Sequence, residues 1–148
     1  MRQILRRFTC LCALLVLAGC SSLRATQDTD AAPPVTTQLV KTTHSWNGQP
    51  LPAYPQGQPE ITMLRITIPA GARLHQHSHP VINAGLLLKG ELTVLTTDGK
   101  TLRLKAGDPI VEVVNTLHHG INESACPAEI VVFYAGILGQ PITVVEPE

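Results

Sequence analysis

The chain has 148 residues, with 11 basic and 11 acidic side chains and only 3% aromatics. Three of the 11 basic residues, Arg2, Arg6 and Arg7, precede Gly19, so the chain after Gly19 carries a formal charge near −3 and no Lys/Arg cluster. That balance argues against an electrostatic nucleic-acid binder. The length allows one folded domain, large enough to build a core without disulfide staples, and Val, Ile and Leu must fill it.

Arg2, Arg6 and Arg7 lead into an apolar run from Phe8 to Leu17, which is too short to cross a bilayer as a helix. A basic start, a short apolar stretch and then small residues is the pattern of a removable secretory signal, here residues 1–19. Leu17-Ala18-Gly19-Cys20, followed by Ser21 and Ser22, resembles a bacterial lipobox. The resemblance implies cleavage before Cys20 and a lipid anchor on its thiol, with more than one acyl chain for stable attachment. Ser21 in place of an acidic residue implies the outer rather than the inner membrane, in a cell envelope and facing the periplasm. The plainer alternative is an ordinary secretory signal with an incidental cysteine. Cys10 and Cys12 leave with the signal, so Cys126 has no partner for an intramolecular disulfide. Ser124-Ala125-Cys126-Pro127 offers no basic neighbour, and Cys126 reads as a loop or strand-edge thiol.

Residues 20–37 are rich in Thr, Asp, Ala and Pro and read as a flexible tether. Residues 38–60 form an arm punctuated by Asn47-Gly48 and several prolines, with Leu39, Val40 and Trp46 able to pack. Trp46 and Tyr54 read first as packing groups on that arm and second as caps on a cavity mouth. From 61 to 145 the pattern is β. Leu64, Ile66 and Ile68 alternate with Arg65 and Thr67, the period of a half-buried strand. Further strands are predicted at Ala84–Lys89, Glu91–Thr97, Lys100–Lys105, Pro109–Val114 and Glu129–Ala135. Asp98-Gly99 predicts a tight type I′ hairpin, with positive φ at both residues; Lys89-Gly90 and Ala106-Gly107-Asp108 predict further turns. Many short strands between glycine turns make a sandwich or small barrel.

Five of the six histidines fall in two places: His75, His77 and His79, then His118 and His119. Side chains at i, i+2 and i+4 of an extended strand share one face, and Pro80 keeps His79 extended. Clustered neutral imidazoles fill an apolar barrel poorly, whereas a divalent metal gives them a purpose. An exposed strand face that picks up metal adventitiously is the blander reading, because spacing alone is only permissive.

The frame around these residues resembles the two-motif signature of the cupin superfamily. The first motif opens at Gly71, places His77 and His79, and closes on Gly90; the second opens at Gly107, reaches His118 and ends at Asn122. The resemblance spans about residues 61–135 and implies an all-β, cupin-type fold, a double-stranded β-helix or jelly-roll barrel. It departs from the signature where Asn83 stands in the glutamate slot and where Val113 and Asn115 replace a proline and a glycine. The resemblance implies metal ligation by His77, His79 and His118, with Asn83 as a weaker fourth group that shares their strand parity. His75 reads as a residue of the cavity mouth before it reads as a ligand, and as an acid/base candidate. His119 has the opposite parity and should point outward.

Glu112 lies in the apolar run Ile110–Val114, where an unpaired carboxylate is costly. It reads first as a structural partner of Arg65 or Arg103, and second as a general base. Glu123 reads as a solvated loop residue. The expected function is that of a metal-binding cupin of the cell envelope, a small-molecule enzyme of the dioxygenase, isomerase or lyase type. Its cofactor would be one divalent ion (Fe, Mn, Ni, Cu or Zn), and its ligand a small molecule, anionic or enolate-forming to suit the ion's charge. The alternative is a non-catalytic module that binds a small molecule or metal. The resemblance also makes a homodimer common.

Overall fold

The structure is a computed structural model that describes residues 32–147. The secretory signal, the lipidation site Cys20 and most of the tether lie outside the described residues. Residues 32–37 are exposed and without regular structure. The chain divides into two units at Val35/Thr36, and every strand belongs to the second.

Nine strands follow among the described residues: β1 (Pro59–Ile68), β2 (His77–Ser78), β3 (Ile82–Lys89), β4 (Glu91–Thr96), β5 (Thr101–Lys105), β6 (Pro109–Val111), β7 (His118–Ile121), β8 (Ala128–Ile137) and β9 (Val144–Val145). They form two antiparallel sheets, one ordered β1-β8-β3-β6 and the other β5-β4-β7-β2-β9. This is the cupin-type jelly roll that the sequence predicts. The pairing of β1 with β8 runs over ten residues, from Pro59 opposite Ile137 to Ile68 opposite Ala128. The register puts Leu64, Ile66 and Ile68 beside Val132, Ile130 and Ala128. Ile68, Leu87, Ile130 and Val132 of one sheet meet Leu92, Val94 and Leu104 of the other in a single core. Burying each such aliphatic side chain contributes about 1.5–3 kcal/mol. Tyr134 is a buried aromatic of the same core.

Two turns show how local chemistry sets the strand ends. Gly90 closes β3 at φ 73°, and a Cβ there would stand 2.9 Å from the Pro127 carbonyl oxygen, so only glycine fits. The β4–β5 hairpin differs from the type I′ expectation. Gly99 has φ 88° while Asp98 does not adopt positive φ. Gly99 N donates to Thr96 O and Thr96 N to Lys100 O, both at 3.0 Å, which encloses three residues rather than two. That is a type I turn closed by a left-handed glycine. The Thr96 hydroxyl stabilises it by bonding both the Asp98 carboxylate and the Lys100 N–H.

The arm covers the edge of the four-stranded sheet. Trp46 N donates to Val111 O at 2.9 Å, and Ser45 Oγ donates to Glu112 O at 2.8 Å. Trp46 packs against the core, whereas Leu39, Val40 and Tyr54 are exposed. A sheet edge that is paired in this way has no free row of amides for another chain.

Candidate metal centre

β2 and β7 lie side by side, with His77 directly opposite His118. Chain alternation then turns His79 to the same side as His77, and the His79 carbonyl is held by Asn115 N at 2.8 Å. Asn115 has φ 53°, so it occupies the left-handed conformation that a glycine would otherwise supply. The replacement noted in the second motif therefore preserves loop shape. Ring centroids are 4.9 Å apart for His77–His79, 4.5 Å for His77–His118 and 5.1 Å for His79–His118. One nitrogen from each of the three lies within 4.8 Å of the others.

The other ring nitrogens decide the tautomer. Nδ1 of His77, His79 and His118 each lies 2.8 Å from a backbone carbonyl, those of His75, Ile142 and Thr116. A carbonyl only accepts, so each Nδ1 carries the proton and each Nε2 keeps its lone pair. Fixing the distal nitrogen on a carbonyl is how proteins orient metal-binding imidazoles. Burial reinforces the neutral form: it lowers His79 and His118 from 6.5 to about 4, against the opposing effect of the carbonyl bonds. The three histidines could hold a metal ion, and their donor set fits one.

The centre opens into a cavity of about 280 Å³ between the sheets. Leu64, Ile66, Leu92, Val94, Ile130 and Val132 form its apolar wall, and no lysine or arginine among the described residues lines it. His75 lines the cavity and is exposed, but it stands outside the three-histidine cluster. His119 points away from the cavity as expected, yet it is not exposed: Arg73 Nη1 bonds its Nε2 at 3.0 Å and covers it.

Asn83 and Glu112 occupy places the sequence did not fully resolve. Asn83 is 1% exposed on β3 and neither amide atom has a hydrogen-bond partner, but it is not part of the cavity wall. Glu112 is buried in the cavity wall, and the expected pairing with Arg65 or Arg103 is not what occurs. Arg65 pairs with Glu129 on the exposed sheet face. Glu112 instead places Oε2 3.3 Å from His118 Nε2. The run Ile110–Val113 is buried throughout, and the Glu112 side chain lies in the cavity wall. Burial raises Glu112 from 4.5 to about 7.

Tyr134 and Thr143 are further cavity residues that the sequence reading missed. Tyr134 shares the parity of Ile130 and Val132 along β8, so strand alternation could have placed it. Its ring centroid lies 5.4 Å from that of His79, and burial together with the Glu112 charge pushes its hydroxyl up to about 12. It therefore stays a proton donor. Thr143 Oγ1 lies 3.2 Å from His79 Nδ1, in a segment whose sequence carries no period.

Comparison with known proteins agrees with the fold. Residues 64–134 match the family model of the Cupin domain. No curated protein is similar enough in sequence to match the chain. Among solved structures, an uncharacterized conserved protein with a double-stranded β-helix domain from Klebsiella pneumoniae superposes with a TM-score of 0.51 at 18% identity, covering 64% of this chain and 89% of that one. Oxalate oxidase in complex with the substrate analogue glycolate gives 0.50 at 25% identity, covering 57% of this chain and 45% of that one. The DMSP lyase of Ruegeria pomeroyi gives 0.52 at 23%, covering 68% and 49%. The chain thus spans about half the length of those two enzymes.

Proposed function

We propose that this chain is a metal-binding cupin of the bacterial cell envelope and acts as a small-molecule metalloenzyme. One divalent ion, Fe, Mn, Ni, Cu or Zn, would be held by His77, His79 and His118. The observation that carries the reading is the set of three Nδ1–H groups committed to carbonyls, which leaves three Nε2 lone pairs turned together. When bound, the ion supplies Lewis-acid polarisation of a coordinated carbonyl or carboxylate. The chain's own residues select what arrives there. An apolar wall to which no described lysine or arginine contributes suits a ligand with one chelating, anionic head and an apolar body. His75 at the mouth is placed to exchange a proton with such a ligand, and Tyr134 stays protonated to donate a hydrogen bond. Similarity to oxalate oxidase, which binds glycolate, supports a small acid as the chelating group.

Elemental analysis of protein isolated without chelating resin tests the centre. We expect about one ion per chain in the wild type, since one such cluster lies among the described residues. A folded His77→Ala/His118→Ala variant should have lost it. Absence of metal from both, with identical melting, would remove the metalloenzyme reading. The envelope assignment rests on the lipobox resemblance around Cys20. Wild-type protein expressed from the full sequence should sediment with membranes, and Cys20→Ser should not; equal partition of the two would sink the anchor.

A further inference from the structure

An antiparallel sheet that packs one face on a core turns polar side chains to water on the other. The outer face of the five-stranded sheet is mostly polar, with Glu91 opposite Lys105 and Thr93 opposite Arg103. The four-stranded sheet departs from this rule. Its register sets Ile61, Ala135 and Ile82 in one row across β1, β8 and β3, and Met63, Phe133 and Ala84 in the next. Both rows have the opposite parity to Ile66, Ile68, Ile130 and Val132, which turn inward, so they face away from the core. Met63 is 64% exposed, Ile61 55% and Phe133 40%. The following row is Arg65, Val131 and Leu86, and beyond it Glu129 pairs with both Arg65 and Lys89. The outer face is therefore apolar at one end and ion-paired at the other.

Single exposed apolar side chains are ordinary, but a contiguous field of them marks a contact surface. Three strands about 4.8 Å apart, taken over about seven residues of about 3.4 Å each, present roughly 350 Å² in projection. Side-chain relief raises the accessible area, so two such faces would bury about 1,000 Å², the lower end of specific interfaces. The charges say how a second copy fits. Arg65, Lys89 and Glu129 together leave one positive charge uncompensated. A two-fold axis running across the strands, close to Met63 and Phe133, reverses the second sheet. It lays apolar rows on apolar rows and sends the two charged clusters to opposite rims, where they stay hydrated and do not confront each other. An apolar centre with a polar rim is the anatomy of a protein interface, and stacked sheets accept strand directions within about 30° of each other.

We propose that the outer face of β1, β8 and β3 joins two copies of this chain back to back, with Met63 close to its own counterpart. The proposal is independent of the metal centre. It bears on the cavity all the same, because the inward side chains of these strands, Leu64, Ile66, Ile130 and Val132, form cavity wall. A contact on the outer face braces that wall from behind.

Sedimentation over a concentration series tests this, on the chain expressed from the full sequence with Cys20→Ser so that no lipid draws copies together. Reductant is present because Cys126 is an exposed thiol. The chain should be a dimer that dissociates on dilution. Met63→Lys sets two like charges near the axis and should weaken the dimer about 100-fold or more, and Met63→Glu should do the same. Both should melt close to the parent when dilute, because an exposed surface position tolerates substitution. An equimolar mixture of the two variants should recover the dimer, which a folding defect would not allow. A parent chain that stays monomeric throughout overturns the proposal; if it then pellets with phosphatidylcholine vesicles, the face belongs to a membrane. A dimer unchanged by Met63→Lys places the contact elsewhere, and a mixture that stays monomeric removes the two-fold axis. Either result overturns the proposal too.

Discussion

At the scale of single residues, the two asparagines of the motifs have opposite fates. Asn83 is buried with its amide unpaired, whereas Asn122, 0% exposed, is fully committed. Asn122 Nδ2 donates to the carbonyls of Ile68 and Pro69 at 3.0 Å and of Cys126 at 2.8 Å, and its Oδ1 accepts from Ser124 N and Oγ. It ties the end of β1 to the loop before β8, at the opposite end of β7 from His118. Asn122→Asp keeps the shape but sets an acceptor against three carbonyls. The expected cost is about 2 kcal/mol or more, since a buried polar group left without its partner loses about 1–3 kcal/mol. Denaturant melts would check it, and metal content per folded molecule should not change. Loss of metal with unchanged stability would move Asn122 from the frame to the centre. The histidines were legible in the sequence because parity alone determines which of them share a face. Glu112 was not, because its role depends on which cavity its strand end meets, and an apolar run records burial without direction.

At the scale of elements, what alternates can be read and what is short cannot. β1, β3, β4, β5 and β8 carry enough alternating or continuous apolar residues to declare themselves, and each lies within about two residues of its predicted ends. The predicted strand to Val114 instead leaves the ladder after Val111, where the arm takes over its pairing. β2, β7 and β9 contain two, four and two residues, too few for a period to show. They exist because long-range partners complete them, as His77 between His118 and Val145 illustrates. Two of these three short strands carry the centre. The elements that hold the histidines are therefore the ones with least local instruction, and the long strands supply the rigidity that places them. The hairpin at Asp98-Gly99 makes the same point in reverse. The dipeptide correctly signals a turn, but the Thr96 hydroxyl selects the three-residue form by satisfying the Lys100 amide.

At the scale of the whole molecule, the centre makes the metal-free protein sensitive to acid in a direction that can be worked out. The folded chain keeps His79 and His118 neutral down to about 4, while the unfolded chain protonates them near 6.5. Between those values the unfolded state binds more protons, so the histidine contribution is present above 6.5 and lost as pH falls through about 4. Glu112 acts oppositely: it stays protonated in the fold up to about 7 and ionises at 4.5 when unfolded, so its contribution fades as pH rises through about 7. Two histidines outweigh one carboxyl over most of the shared interval. Melting temperature in chelator should therefore climb from about pH 4 to about pH 6 and flatten towards 7, following the values of these three groups. His79→Asn should remove part of the climb. A divalent ion changes the balance, because it demands neutral imidazoles at His77, His79 and His118. Metal-loaded protein should gain most over metal-free protein near neutral pH, and lose that gain as falling pH protonates the imidazoles and displaces the ion. Thermal scans across pH, with and without Co(II), would show it; a gain that is constant down to pH 4 would mean the ion binds away from these groups.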